Sequence, residues 1–579
     1  MKIHHLLVLG LFVSCNQPAD EVVQSEIHNT EIDWMSYDQQ VFTKAKEEQK
    51  LVLLEVGANW CHWCHVMDDS TYANKEVQTF LKENFVLTRE DQDSRPDLFA
   101  AYRPWGWPAI IVQNEYGDDL LRLKGYQERK KFIKVLQKVI DNPTIIEDAT
   151  ADQENFSSSS SELAQEFKSR VDHEKGAYPW KNKFIQFQGI LQGLKMKEDP
   201  KMRAWTDLSI KNSYALVDPV WSGVYQYSAL RSWNNQHYEK LLKIQAEYIK
   251  TYSLYGAFTK TEIPLEKAAS IVGYCERFFG DNSGLYYNSQ NADVVAGVDS
   301  EEYYNLNETE RLLQGTPSVD ESIYLKENAK MSEALVYLWA ATDNASYLKK
   351  AEQILNVLLE TRYSKSGLYL RAEKDEGFYS FEDNRQLLDL MMHFYQLSGD
   401  EAYLRKAKEL GLIMNENFYS EEGFMAVCGD KLVKNTIVDL DNINAVLTFN
   451  KLSRLADEKV FFDLAFAAYE RCNKSELHKV VGYLPLLQMA DEQLNNEPFH
   501  AVFLHDGNQK DLGQDFFKKI LLHPSQYITF DWLHVNEMNE EEQMMYGGLP
   551  PGTLFMCTSS FCSAPMYETT ELEAFLQSI

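Results

Sequence analysis

Past its first fifteen residues the sequence has no run of about eighteen apolar side chains, the length a helix needs to cross a bilayer, so no membrane span is expected in the mature chain. Positive charge is scarce as well. Lys and Arg number 57 against 87 Asp and Glu, a net charge of −30. Without a basic face, neither nucleic acid nor an anionic lipid surface is an expected partner. Cysteine is thin: eight in 579 residues do not make the dense disulfide framework of a small secreted domain. What is present is globular. Hydrophobic residues make up 44% and aromatics 13%, which sets disorder aside. A chain of this length divides into two or three cores.

The first fifteen residues differ in kind. Lys2 is followed by the apolar stretch Leu6 to Val13 and by Val13-Ser14-Cys15, a small-residue cleavage site ending in cysteine. The pattern is that of an export signal. With cysteine at the cut, residues 1–15 resemble a bacterial lipoprotein signal in which Cys15 becomes the acylated first residue; an ordinary signal peptide is the alternative. Residues 16–31 are polar and read as a tether. The expected location is outside the cytoplasm, facing the periplasm or cell surface, with a lipid anchor as the only link to the membrane.

Residues 34–49 read as an amphipathic helix and Leu51-Val52-Leu53-Leu54 as a buried strand, opening an α/β domain over 32–142. From Asn142-Pro143 the composition turns polar, with five serines in a row from Ser157, so 143–164 reads as a linker. Beyond it, helices repeat. Tyr347-Leu348-Lys349-Lys350-Ala351 returns as Tyr403-Leu404-Arg405-Lys406-Ala407 and, more loosely, as Phe461-Phe462-Asp463-Leu464-Ala465. Each copy follows a small polar turn: Thr342-Asp343-Asn344, Ser398-Gly399-Asp400, Ala456-Asp457-Glu458. A glycine before bulky residues also recurs, at Gly223, Gly284, Gly367 and Gly423. Helix hairpins that cannot bury an apolar face alone must stack. The span 165–495 holds about six, which predicts an all-α (α/α)6 toroid. In 496–579, Ala501 to Leu504 and Tyr527 to Phe530 read as strands of a small C-terminal α/β segment.

Cys61-His62-Trp63-Cys64-His65 carries the chemistry. Two cysteines three apart at a helix start share a face, and the helix dipole favours the first as thiolate. The same letters also fit c-type haem attachment or a structural zinc site. Context favours dithiol–disulfide exchange. A strand leads into the motif, and Glu55 lies six residues before Cys61, where thioredoxins keep a buried carboxylate. Trp60 precedes Cys61 as in thioredoxins, and Gly106-Trp107-Pro108 enters an apolar strand where such domains place a cis-proline. No second Cys/His pair stands nearby for zinc, and haem requires none of these flanks. No cofactor is expected.

Trp60 to Met67, Ser94-Arg95-Pro96-Asp97 and Gly106-Trp107-Pro108 resemble the thioredoxin-domain proteins related to spermatogenesis-associated protein 20. The resemblance extends to His237-Tyr238-Glu239-Lys240-Leu241, to Asn291-Ala292-Asp293, and to a closing pattern of Cys557, Cys562 and Pro565. It implies a thioredoxin-like domain followed by a six-hairpin toroid similar to sugar epimerases and glycosidases. Asn291 stands where that family has an acid, the loop before Gly106 is short, and the Gly-rich segment near Trp221 is eroded.

In the toroid, Trp221, Tyr225, Trp233, His237, Glu239 and Asp293 lie on or near the glycine-marked loops, where such rings bind ligands. Glu239 and Asp293 are the candidate carboxyl pair for glycosidic chemistry, which needs one protonated and one ionised group across the bond. Helical packing and a solvated face are the plainer accounts of the same residues. Cys275, Cys428 and Cys472 read as buried thiols, and Cys557 with Cys562 as a second, structural disulfide.

The leading expectation is a multidomain thiol–disulfide oxidoreductase acting on protein thiols or disulfides. Cys61 attacks, Cys64 resolves, Pro108 shapes the substrate groove, and Glu55 and His65 tune proton transfer. The alternatives are a carbohydrate-binding or carbohydrate-processing toroid with an accessory redox domain, and a scaffold with a structural disulfide.

Overall fold

The computed structural model describes residues 32–146, 159–374, 377–429, 432–434, 436–525 and 527–579. The signal sequence, Cys15 and the tether lie outside the described residues, as does the middle of the linker.

The first domain is built on a four-stranded sheet. In chain order it comprises α1 (Gln39–Glu48), β1 (Leu51–Gly57), α2 (His62–Met67), α3 (Lys75–Asn84), β2 (Phe85–Asp91), α4 (Pro96–Tyr102), β3 (Ala109–Gln113), β4 (Asp119–Lys124) and α5 (Arg129–Asp141). Strand order is β2-β1-β3-β4, with β1 parallel to β2 and antiparallel to β3. The period-two alternation of a strand sorts β1 between two cores. Val52, Leu54 and Val56 pack with Val41 and Phe42 of α1 and Leu98 of α4. Leu53 faces the other way, with Leu81 of α3 and Phe132 and Leu136 of α5. Parity therefore sends Glu55 to the same side as Leu53. The first helix starts later than its amphipathic pattern suggested: Asp38 caps it through Gln40 N–H, and Met35 forms a bridge to Thr88 instead.

The second domain is a closed ring of six hairpins. Its helices are α6 (Ser160–Arg170), α7 (Phe187–Lys195), α8 (Pro200–Ser213), α9 (Leu242–Thr259), α10 (Glu262–Phe278), short α11 (Glu301–Tyr304) and α12 (Glu308–Gln314), α13 (Leu325–Thr342), α14 (Ala345–Thr361), α15 (Phe381–Ser398), α16 (Glu401–Phe418), α17 (Asp439–Ala456), α18 (Lys459–Cys472) and α19 (Leu484–Asn495). The inner wall runs α7, α9, α13, α15, α17, α19 and back to α7, each touching the next. Outer helices α8, α10, α14, α16 and α18 back their partners, and α6 backs α19. The serine run thus ends as a helix start: Ser159 and Glu162 form a reciprocal cap, and α6 takes up what the composition suggested was linker to residue 164. Serine is a preferred N-cap, so one composition serves both purposes.

The repeated turns have a shared construction. Asp343, Gly399 and Asp457 adopt the left-handed conformation that ends each inner helix, and the next residue begins the outer one. The glycine-marked loops are clamped too. Asn328, Asn384 and Asn442, each the fourth residue of its inner helix, accept from one backbone N–H and donate to a carbonyl of Tyr286, Tyr369 and Phe424 respectively. Gln245 in α9 does the same for Val224.

Both mouths of the ring are covered. The α/β domain sits over the N-terminal ends of the inner helices. The opposite end carries the terminal segment, a three-stranded sheet of His500–His505 between Thr529–His534 and Leu554–Cys557, with α20 (Lys510–Leu521), α21 (Glu540–Tyr546) and α22 (Thr569–Leu576). Tyr395 Oη donates to Asp531 at 2.7 Å and Trp532 Nε1 to the Gln396 carbonyl at 2.8 Å, seating the segment on α15. Cys557 and Cys562 are bridged; Cys275, Cys428 and Cys472 are buried. No helix among the described residues is long and apolar enough to cross a membrane.

Candidate functional site

The Cys61–Cys64 pair stands where β1 hands over to α2. Cys61 is the N-cap of that helix, and its sulfur accepts the backbone N–H of Cys64 at 3.2 Å. The two cysteines are joined as a disulfide. Helix N-termini stabilise negative charge, so this cap position suits a thiolate once the bridge opens. The Trp107–Pro108 peptide is cis, and Trp107 packs against the cysteine cluster.

Glu55 lies beneath, fully buried. Burial pushes its carboxyl up, and Arg89, whose Nε lies 3.1 Å from Oε1, opposes that rise. Arg89 is held in turn by Asp68 at 2.6 Å and lies over the Trp34 ring. Gly57 keeps the passage open: a side chain there would put its Cβ 3.3 Å from Cys64 Sγ and 3.8 Å from Glu55 Oε1. Sulfur and carboxylate therefore both border the space over Gly57.

The toroid completes the site. Leu241, just before α9, and Ile244 within it pack with Ala58, Trp60, Cys61 and Cys64. Cys61 is 4% exposed and Cys64 6%, whereas Trp63 between them is 45% exposed. His62 Nδ1 lies 2.9 and 3.0 Å from the two carboxylate oxygens of Asp293, on a toroid loop. That contact raises the His62 pKa against the opposing effect of burial. Burial pushes Asp293 up, but the hydrogen bond from His62 and the nearby His65 ring outweigh it and hold the carboxyl below its usual range. Gly297 N–H also donates to Asp293, at 3.0 Å. His65 Nε2 meets the Asn59 carbonyl at 3.1 Å, and its Nδ1 is 3.6 Å from Asp293.

The other toroid candidates part company. Glu239 is buried near His62 and pushed up to about 7 by that burial, and His237 Nδ1 lies 4.0 Å from it. His237 stacks on Tyr227 and is lowered to about 4, mainly by burial. Trp221 and Tyr225 belong to an aromatic shell around a buried ion cluster, in which Lys240 and Arg311 hold Asp218 Oδ2 at 2.6 and 2.8 Å. Trp233 donates to the Lys175 carbonyl at 2.7 Å and borders a surface pocket away from the ring axis. The cavity on that axis, about 180 Å³, is lined instead by charged residues of the inner wall, among them Lys250, Lys330, Glu333, Arg385, Asp389 and Lys451.

Two further residues, without a motif of their own, tie the domains together. Asp93 accepts from Trp60 Nε1 at 2.7 Å and from Asn288 Nδ2 at 3.0 Å. Arg371 donates to the Asp93 carbonyl while gripping Asp383. Nearby, Asp91 accepts Asn59 N–H at 2.8 Å and is pushed up to about 7, first by burial and then by Asp93. For the two acids the one sequence signal is the run Glu90-Asp91-Gln92-Asp93 that closes and follows β2, which by itself reads as a solvated turn.

Residues 21–145 match the family model Thioredox_DsbH, a protein family of unknown function, DUF255. Over 306 residues the chain is 26% identical to spermatogenesis-associated protein 20 of Mus musculus, a match covering 45% of this chain and 39% of that protein. It is 29% identical over 149 residues to the thiol:disulfide interchange protein DsbD of Vibrio vulnificus, covering 23% of this chain and 25% of that one. The chain thus spans well under half the length of these curated relatives. Among solved structures, a sugar epimerase from a ruminal bacterium is similar at a TM-score of 0.43 and 13% identity, over 54% of this chain and 85% of the epimerase.

Proposed function

We propose that the protein is a thiol–disulfide oxidoreductase working through Cys61 and Cys64. The observation that carries this reading is Cys61 at the cap of α2, its sulfur on a backbone N–H, with Cys64 Sγ and buried Glu55 both bordering the space over Gly57.

Exchange runs in two balanced steps. The Cys61 thiolate attacks one sulfur of a substrate disulfide, forming a mixed disulfide and releasing the other sulfur as thiolate. Cys64 then gives its proton toward Glu55 and attacks Cys61 Sγ, releasing the second substrate sulfur and leaving the intramolecular bridge. Two electrons pass from the dithiol to the substrate, and the reverse sequence oxidises a substrate dithiol. Leu241 and Ile244 cover the sulfurs, so a macromolecular partner gains access when that contact opens. The DsbD relative supports the reaction class, and the N-terminal pattern ending at Cys15 supports export and lipid anchoring.

The test is equilibration of the full chain with glutathione buffers followed by thiol trapping, together with a Cys64→Ser variant. A reversible two-electron transition, and a partner mixed disulfide that accumulates on Cys64→Ser, are expected. A pair locked in one state under all buffers would overturn the reading in favour of a structural disulfide.

A further inference from the structure

His62 is bonded to Cys61 in sequence and to Asp293 in space, and those two partners belong to different domains. The imidazole is half-buried, its side chain 21% exposed, while Asp293 is 1% exposed. The charged groups facing it from the toroid are Asp293, Glu239 and Asp299, with His237 beyond; its own helix adds His65. The toroid therefore surrounds His62 mostly with acid. Besides the Gly297 N–H and the nearby His65 ring, what this well-buried carboxylate meets is a residue between the two cysteines.

We infer that Asp293 is a positioning residue of the redox centre: it holds His62 as an imidazolium beside Cys61, so that docking of the toroid stabilises the reduced dithiol. The inference rests on the oxidoreductase reading and adds the element that sets its potential. When a thiol reductant opens the bridge, two electrons enter and one proton goes to Cys64, leaving Cys61 as thiolate. That new negative charge forms one residue away from the imidazole that Asp293 holds. An imidazolium near a thiolate lowers the thiol pKa and makes the disulfide the stronger oxidant. Coupling of this kind is reciprocal: if docking favours reduction, reduction tightens docking by the same factor.

The experiment compares glutathione equilibrium constants and the pH dependence of thiolate absorbance in the full chain for wild type, Asp293→Asn, Asp293→Glu, His62→Ala and His62→Ala with Asp293→Asn. Asp293→Asn should lower the equilibrium constant for reduction about tenfold, about 30 mV, and raise the Cys61 pKa. Asp293→Glu should restore most of both. In the His62→Ala background the Asp293 substitution should change neither, which a merely structural carboxylate would not satisfy. An equal shift in that background, or no shift with Asp293→Asn, overturns the inference while leaving the oxidoreductase reading standing. Absence of any reversible transition in wild type overturns that reading and the inference with it.

Discussion

Arg371, in the toroid, donates from Nε to the backbone carbonyl of Asp93 in the N-terminal α/β domain, while its Nη1 lies 3.0 and 2.9 Å from the two oxygens of buried Asp383. One guanidinium thus fastens the sheet domain to the ring, and removing it leaves Asp383 and Glu327 as buried charges short of a cation. Breaking such a pair costs about 3–5 kcal/mol. Arg371→Ala is expected to lower the melting temperature and to speed alkylation of Cys61 in the reduced protein; unchanged alkylation would mean that the cover over the sulfurs does not depend on this tie.

Glu55→Gln keeps the shape of the buried group and removes its ability to take a proton. The release of mixed disulfides should slow by about a hundredfold, the scale of a lost general base, with the reduction midpoint moved far less. Stopped-flow exchange with a model disulfide reads the rate, and an unaltered rate would leave Glu55 a structural role only.

The His62–Asp293 contact fixes a pH dependence. The folded pKa of His62 lies above its free value, so its contribution to domain contact is complete below the free value and is lost as pH rises through the folded one. Asp293 is held below its free value, so its share is present above the ordinary carboxylate range and is lost as pH falls through the depressed one. Docking should be firmest on the mildly acidic side of neutrality and loosen in alkali. Cys61 alkylation, corrected for its thiolate fraction, should rise on the alkaline side in wild type and stay flat in His62→Ala.

Asn384→Ala removes both hydrogen bonds that hold Tyr369 in its loop, N–H at 2.8 Å and carbonyl at 3.1 Å, in a position with no water access. Two orphaned backbone groups cost about 2–4 kcal/mol together. Denaturant unfolding should show that loss, and Asn442→Ala a loss of similar size through Phe424.

The thioredoxin-like domain is legible in the sequence because its signals are local. A short apolar strand, a cysteine pair at a helix start and an aromatic–proline step each fix a nearby backbone shape, and Glu55 is placed by strand parity. The hairpin turns are legible for the same reason, since a residue such as Gly399 followed by Asp400 marks where one helix stops and the next begins. The asparagine clamps are harder to see. Their position is constant only relative to the inner helix, while the loops they hold lie at varying distances before it. Hardest of all is the contact between domains. Glu239 and Asp293 attract notice as carboxylates near glycine loops, yet what they face is His62, brought from far away in the chain by ring closure and docking. No periodicity encodes that meeting.

The closing of the ring by α6 against α19 has a consequence for how the toroid comes apart. An open stack of hairpins has two free ends, and its terminal units melt first, each costing only one interface. Here the first helix after the linker lies behind the last inner helix, so every hairpin has two neighbours and none is terminal. Loss of any one unit breaks two interfaces. Unfolding of the ring should therefore be all-or-none, and a chain cut between Ser159 and Val171 should lose the whole toroid, not one-sixth of it.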